Sequence, residues 1–351
     1  MAAVYLESVT TVSDRRTILD AVSFTIDDRE IMALLGRSGA GKSAVLRAIA
    51  GLDRVAGGRI LFGDRDVTDL PAAARDVGVV FSEPHLIPSA TARWNISMPL
   101  RARSMDPGES SLRVTAESRA LGIESLLDRR PGTLAAGEQQ LVQIARAMVR
   151  VPTVLLLDEP LSRLDPIQRV RLQRDLRELQ EGYGVTTLYV TKDEREAMAM
   201  AESVTVIDRG RVVQSGPSED VRAWPAHRVV AELTGPLGTF PAVVERDKEG
   251  FALVAPGVRL RAWAPALDHH LGRAVIIGVR PEDVVADPNG NAFATVQPAR
   301  YPSRAGSTSI EIARSGLTAR SLPGDPGARV RVRLQHVHIF ESDGTLVATT
   351  G

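Results

Sequence analysis

Ile31-Met-Ala-Leu-Leu-Gly36-Arg37-Ser38-Gly39-Ala40-Gly41-Lys42-Ser43-Ala44 decides the fold. Five apolar residues lead into a turn that fits G-x-x-x-x-G-K-[ST], and a helical pattern from Lys42 to Ala50 follows. The run reads as a buried strand. Gly36, Gly39 and Gly41 let backbone N–H groups curl around phosphate oxygens, and the helix N-terminus adds a favourable dipole. Residues 36–44 are therefore the candidate nucleotide-binding residues. Within them Lys42 is expected to reach the β- and γ-phosphates, and Ser43 to ligate Mg²⁺. A chance Gly-rich turn before a helix is the competing account. It leaves the agreement of strand, loop, Lys-Ser pair and helix unexplained.

Outward from the loop, Val154-Leu-Leu-Leu-Asp158-Glu159-Pro160 is an apolar strand ending in two acids. Asp158 is expected beside the Mg²⁺ shell, and Glu159 next to it can orient or deprotonate an attacking water. Taken alone, the segment is equally a buried strand ending in a solvated acidic turn. Beside the phosphate loop the catalytic reading prevails.

Ile31–Leu35, Val77–Phe81, Val154–Leu157, Thr186–Val190 and Val204–Ile207 read as strands, and helices are expected over Lys42–Ala50, after Gly137 and over Pro166–Leu179. Alternating strands and helices predict an α/β domain, a mostly parallel sheet covered on both faces, over residues 1–235. Gly235-Pro-Leu-Gly-Thr-Phe-Pro241 reads as a linker. Short β-like runs punctuated by Gly, Pro, Asp and Asn then predict a small all-β, barrel-like domain over 236–351. Forty-three basic and 43 acidic residues balance, which argues against nucleic-acid binding by bulk charge. The absence of cysteine removes disulfides and thiolate chemistry. The N-terminus lacks a secretory pattern and no apolar run is long enough to cross a bilayer, so a membrane role is expected to come through partners.

With these motifs the chain resembles the ATP-binding subunit of an ABC transporter. Leu134-Ala135-Ala136-Gly137-Glu138 stands in the register of the family's signature segment. Ser162-Arg-Leu-Asp165 resembles the D-loop, Tyr189-Val-Thr-Lys192 the switch region, and Val79-Val-Phe-Ser82 the Q-loop. Ile277-Gly-Val-Arg-Pro-Glu-Asp283 and His338-Ile-Phe resemble the accessory β domain of carbohydrate importers of the maltose and glycerol-phosphate type; polyamine and ferric-iron importers share the Arg-Pro-Glu segment. The resemblance implies a P-loop ATPase with a helical subdomain at about 84–150. It implies ATP and Mg²⁺ as cofactors. It also implies a head-to-tail homodimer, or a heterodimer, in which each ATP lies between one subunit's phosphate loop and the other's signature helix. Its implied partners are two transmembrane permease subunits, received in a groove around residues 82–96, and an extracytoplasmic solute-binding protein, with no nucleic acid. The implied location is the cytoplasmic face of the membrane.

The chain departs from the family pattern. The signature Ser and first Gly are Ala135 and Ala136, and its Gln is Glu138. The Q-loop Gln is Ser82 and the switch His is Lys192. The adenine-stacking aromatic aligns with Ser13, and Tyr5 lies too far upstream to replace it. Ala135 lacks a hydroxyl for the γ-phosphate, Ala136 adds a methyl where backbone must approach, and Glu138 brings negative charge. Lys192 still donates to a phosphate oxygen but accepts no proton while charged. Because Lys42, Ser43, Asp158 and Glu159 are all present, a hydrolytic subunit with an altered site is expected; a non-hydrolysing regulatory subunit is the rival. His336 and His338, two apart, lack further ligands for a metal site, and the arginines of 168–177 read as a solvated helix face.

Overall fold

The computed structural model describes residues 2–248, 250–297, 307–320 and 322–350. Contacts divide the chain into two compact units, Met1–Ser218 and Glu219–Gly351.

The first unit begins with two antiparallel strands that the apolar pattern does not announce, β1 (Val4–Ser13) and β2 (Arg16–Ile26). They turn at Asp14 and Arg15, both at positive φ, 47° and 62°. Then come β3 (Ile31–Leu35), α1 (Lys42–Ala50), β4 (Gly57–Phe62), β5 (Arg65–Asp66), β6 (Val77–Val80), α2 (Ala92–Arg101), α3 (Pro107–Ala120), α4 (Ala136–Met148), β7 (Val154–Asp158), α5 (Pro166–Tyr183), β8 (Thr186–Thr191), α6 (Glu194–Met200), β9 (Ser203–Asp208) and β10 (Arg211–Pro217). The central sheet runs β10-β9-β3-β8-β7-β6 and is parallel except for β10. A second, antiparallel sheet runs β2-β1-β4-β5.

Strand alternation sends the two faces of the central sheet into separate cores. Val154, Leu156, Leu188 and Val190 pack with α1 and the antiparallel sheet. Leu155, Leu157 and Tyr189 pack on the other face with residues of α2 to α5. This double cover is why the strands read as continuous apolar runs.

Helix boundaries follow local chemistry. Asp106 and Asp165 cap α3 and α5, each with proline in the first turn. The C-terminal end of α1 is held by a residue with no sequence signal, Arg75. The residue is 2% exposed, and its guanidinium donates to Ala48 O (2.7 Å), Ile49 O (3.0 Å), Leu70 O (2.8 Å) and Thr68 O (2.8 Å). A cation at the negative end of a helix dipole, filling four carbonyls, is stabilising. Arg75→Met removes four hydrogen bonds and a buried cation at the helix end, though Ala48 O keeps the Gly51 N–H, and is expected to cost about 3 kcal/mol. Chemical denaturation measures it, and a midpoint equal to wild type refutes the role.

In the second unit one antiparallel sheet of eleven strands is described, in the order Val284–Ala286, Arg329–Leu334, Ala292–Val296, Val258–Ala262, Gly250–Ala255, Gly238–Asp247, Ala274–Val279, Val337–Phe340, Leu346–Thr350; Ser307–Ile312 and Ser315–Arg320 branch from Ala292–Val296. Its apolar side, including Phe240, Leu260, Ile277, Val332 and Ile339, forms a single core, so the sheet curls on itself. Two short helices, Ser218–Ala223 and Arg228–Leu233, precede the sheet. The compositional change at Gly235 thus falls later than the division at Ser218. The reason is Arg280, 5% exposed, which donates to Arg222 O (3.0 Å) and Thr234 Oγ1 (3.2 Å), while Arg222 pairs with Glu282.

The linker expected at Gly235–Pro241 is corrected in part. Gly238–Pro241 begin a strand, with Phe240 1% exposed in the core. Pro241 is tolerated because, among the described residues, Gly238–Ala242 pair on one side only, with Ile276 opposite Pro241.

Candidate functional site

The C-terminal ends of β3, β7 and β8 bring the first group of candidates together, the edge where open α/β sheets hold ligands. The loop after β3 turns through Gly39 and Gly41 at φ 77° and 107°. Gly36 is needed for space, since a Cβ there would lie 2.5 Å from Ile207 O. Arg37, Ser38 and Gly39 are exposed at the tip; Ala40 is buried and Ala44 half-buried on α1.

Lys42 curls back so that Nζ donates to Gly36 O (2.8 Å) and Arg37 O (3.1 Å). Burial pulls its pKa below the usual lysine value, opposed by Glu159 and Asp158. Ser43 Oγ donates to Asp158 Oδ2 at 3.0 Å. Burial raises the Asp158 pKa and the Ser43 bond opposes it. Ser43 and Asp158 thus offer neighbouring oxygens, the donor type that Mg²⁺ takes, in a place where a cation would offset the cost of a half-buried carboxylate.

Glu159 has φ 45°, rare outside glycine, and its N–H donates to Val190 O at 2.8 Å. This turn aims its carboxylate at Lys192, whose Nζ donates to Glu159 Oε2 at 2.9 Å. That bond raises the Lys192 pKa. The lysine is 68% exposed, so the pair adds little stability and is readily exchanged.

The remaining candidates lie apart from this cluster. Ala135 is the N-cap of α4, whose first residues are Ala136 and Gly137. Among the described residues no hydrogen bond or ion pair joins 135–138 to Lys42, Ser43, Asp158, Glu159 or Lys192. The Glu138 carboxylate folds back and accepts from Ala135 N–H at 2.8 Å. It therefore caps its own helix and occupies the Ala135 N–H. Gly137 has no room for a side chain, with Leu164 Cδ2 2.6 Å from a built Cβ. Asp165 is the exposed N-cap of α5, accepting from Ile167 N–H (3.0 Å) and Gln168 N–H (2.9 Å). Ser82 is held through its backbone, its carbonyl accepting from Arg163 Nε at 3.0 Å. Ser13 is exposed beside the β1–β2 turn, whereas Tyr5 pairs mid-strand between Thr25 and Leu61.

The structure adds a clamp absent from the sequence reading. Gln140 and Gln143, both fully buried on α4, donate to Phe81 O at 3.2 and 2.8 Å. Gln143 also accepts from His85 N–H, and Arg146 donates to His85 O at 2.7 Å. Three side chains thus bind α4 to residues 81–85. Polar residues at i, i+3 and i+6 along a buried helix face were the available signal. Near the clamp, an open cleft of about 390 Å³ is lined by Val79, Met98, Pro99 and Arg146.

Other readings resolve simply. His336 pairs with Asp283 at 2.9 Å, and His338 sits against Thr349, its pKa lowered by burial to about 4. No group of three metal-ligating side chains occurs among the described residues. The α5 arginines pair with neighbouring acids, Arg171 with Asp175, Arg174 with Glu178 and Arg177 with Glu181. No described helix is long and apolar enough to cross a membrane.

A mostly parallel sheet with a glycine-rich loop at the end of β3 and paired acids at the end of β7, one strand removed, is the architecture of a P-loop ATPase. The family model described as ABC transporter matches residues 19–162. The sn-glycerol-3-phosphate import ATP-binding protein UgpC of Roseobacter denitrificans is 37% identical over 78% of this chain and 75% of its own. The trehalose/maltose import ATP-binding protein MalK of Thermococcus litoralis is 39% identical over 81% of this chain and 79% of its own. Among solved structures, the ATP-binding cassette MJ0796, a dimer in a post-hydrolysis state with ADP and Pi, is 28% identical with a TM-score of 0.56. It aligns with 61% of this chain and 98% of that one. The chain belongs to the ABC transporter family, among its ATP-binding subunits, and is an ABC-type ATPase.

Proposed function

We propose that this chain hydrolyses ATP to drive an importer of a sugar or related polar solute. The observation that carries it is the convergence of Lys42, Ser43, Asp158, Glu159 and Lys192 at one sheet edge, and the names of the relatives above support the solute class. Loop N–H groups of 36–44 and the Lys42 ammonium hold the β- and γ-phosphates. Ser43 and Asp158 would hold Mg²⁺, which supplies charge neutralisation between those phosphates. Glu159 orients the attacking water and takes its proton. Lys192 exchanges Glu159 for a γ-phosphate oxygen, the contact that a switch histidine would make.

The separation of 135–138 from this cluster supports a head-to-tail dimer, in which the signature helix of one copy, with Asp165 nearby, faces the loop of the other. Two copies of this chain, or this chain and a related ATPase subunit, would close on ATP at the cytoplasmic face of the membrane. They would move two permease subunits through the region around residues 82–96 and the cleft at Met98, with a solute-binding protein on the far side. Ser82 offers a hydroxyl where the Q-loop glutamine would stand.

A second reading, a regulatory subunit that binds ATP and barely hydrolyses it, is favoured by Ala135, Ala136 and the Glu138 carboxylate on the Ala135 N–H. Steady-state phosphate release by the assembled transporter separates the two. In the first reading turnover is slow but coupled to solute. There, Ala135→Ser with Ala136→Gly and Glu138→Gln raises kcat roughly tenfold, the scale of one charge-assisted hydrogen bond. Unchanged kcat in the triple variant shows that this segment does not touch the transferred phosphate.

A further inference from the structure

The outward face of the second unit's sheet carries a cationic cleft unrelated to ATP. Strand Arg329–Leu334 alternates strictly, with Val332 and Leu334 in the core and Arg329, Arg331 and Arg333 exposed. The neighbouring strand, Ala292–Val296, buries Ala292 and Ala294 and turns Phe293 outward, directly opposite Arg331. The open cleft they border is about 410 Å³, and Arg259 and Asn291 line its other side.

The two central arginines are prepared in an unusual way. The Arg329 and Arg331 guanidinium carbons lie 4.4 and 5.4 Å from the Phe293 ring centroid. Stacking on a ring fixes the guanidinium plane and leaves its in-plane N–H donors free for an anion. Arg331 is oriented further by donating Nε–H to Gly290 O at 2.8 Å. Gly290 is itself required there, because a Cβ would lie 2.1 Å from Val332 O. Charge on this face is otherwise matched. Arg333 pairs with Asp287 at 2.5 Å, and Arg259 with Glu245 at 3.1 Å. Among the described residues no carboxylate pairs with Arg329 or Arg331. Two guanidinium groups over one ring, neither held in an ion pair although Asp287 lies near enough to feel Arg331, match a phosphomonoester, which carries about −1.5 to −2 at neutral pH and accepts several charge-assisted bonds.

We propose that this cleft binds the phosphate group of a small phosphorylated metabolite, with Arg329 and Arg331 forking the phosphate and the body of the ligand lying along Phe293 towards Arg259. The cleft accommodates a sugar-sized ligand. A monomeric phosphate ester is favoured over an extended polyanion because the unpaired charge is confined to two side chains, with paired arginines on either side.

The test is calorimetric titration of the full chain with glucose 6-phosphate, inorganic phosphate and glucose, in saturating ADP so that the Gly36–Ala44 loop is filled. Saturable binding of glucose 6-phosphate and none of glucose is expected. Arg329→Gln with Arg331→Gln should weaken it at least about tenfold, since each lost bond to a charged group is worth about that much. Phe293→Leu, which keeps both charges and removes the platform, should weaken it several-fold, and Arg331→Lys should not restore full affinity because an ammonium lacks the fork. Near-UV circular dichroism verifies that each variant is folded. Tighter binding of the ester than of inorganic phosphate assigns an organic ligand, and equal binding assigns the free ion; either supports the phosphate site. Three results overturn the proposal: no saturable binding, binding indifferent to the arginine pair, or a hexaglutamate peptide that binds as tightly with the same dependence on that pair.

Discussion

Lys42→Ala is expected to abolish productive ATP binding, weakening affinity on the order of a hundredfold or more. The side chain is held before any ligand arrives, its Nζ bonded to Gly36 O and Arg37 O at 2.8 and 3.1 Å. Positioning therefore costs little when phosphate binds. Burial already opposes its charge, and Glu159 and Asp158 sustain it. Removing the ammonium leaves two carboxylates facing an incoming polyphosphate, with the exposed Lys192 on Glu159 as the remaining cation. Loss of one partner from a half-buried charge cluster costs roughly 3 kcal/mol or more. Fluorescent-nucleotide titration measures it, with thermal unfolding as the control for folding. Wild-type affinity in a folded variant would refute the assignment of residues 36–44.

Glu159→Gln is expected to lower kcat by about two to three orders of magnitude, with nucleotide affinity retained. The variant keeps the shape and the strained backbone, and removes the proton acceptor. An ATP-bound closed dimer should accumulate, visible as a shift in oligomeric mass with ATP and Mg²⁺. The 2.9 Å bond between Lys192 and Glu159 makes a companion variant informative. Lys192→Ala frees the carboxylate but removes a phosphate donor, so kcat should fall less than in Glu159→Gln and affinity should change little. Hydrolysis by Glu159→Gln at the wild-type rate would mean that another group activates the water. A faster Lys192→Ala would mean that the lysine restrains Glu159 and makes no contact with the phosphate.

The phosphate loop shows how far sequence carries. Strand, turn and helix at 31–50 are set by contacts within a few residues, namely the apolar run, the positive φ of Gly39 and Gly41, and α1 beginning at Lys42. The reading and the structure agree there to the residue at Lys42–Ala50. The same holds for α5, where Asp165 and Pro166 start the helix from its own first turn, although it continues to Tyr183 instead of stopping near Leu179. The family departures at 135–138, 82 and 192 were likewise legible, because they are identities at known spacings.

What only the tertiary structure decided are pairings between segments far apart in the chain. Lys192 meets Glu159 across 33 residues, Arg75 reaches Ala48 across 27, and Gln143 reaches Phe81 across 62. No local propensity encodes such partners, because each depends on which strands lie side by side and on the faces their side chains take. The hairpin of β1 and β2 leaves no clear apolar signal because it is covered on one face only and interrupted by bulges, which blur its alternation. Gly238–Pro241 read as linker by composition, yet edge pairing to Ala274–Val279 makes them a strand. By itself the sequence determined the P-loop class, the placement of the glycine-rich loop between β3 and α1, and the altered signature. Packing alone decided that Lys192 rests on Glu159 and that Arg329 and Arg331 share the Phe293 ring, since each of these follows from close approach in space between groups whose charges and shapes the sequence states separately.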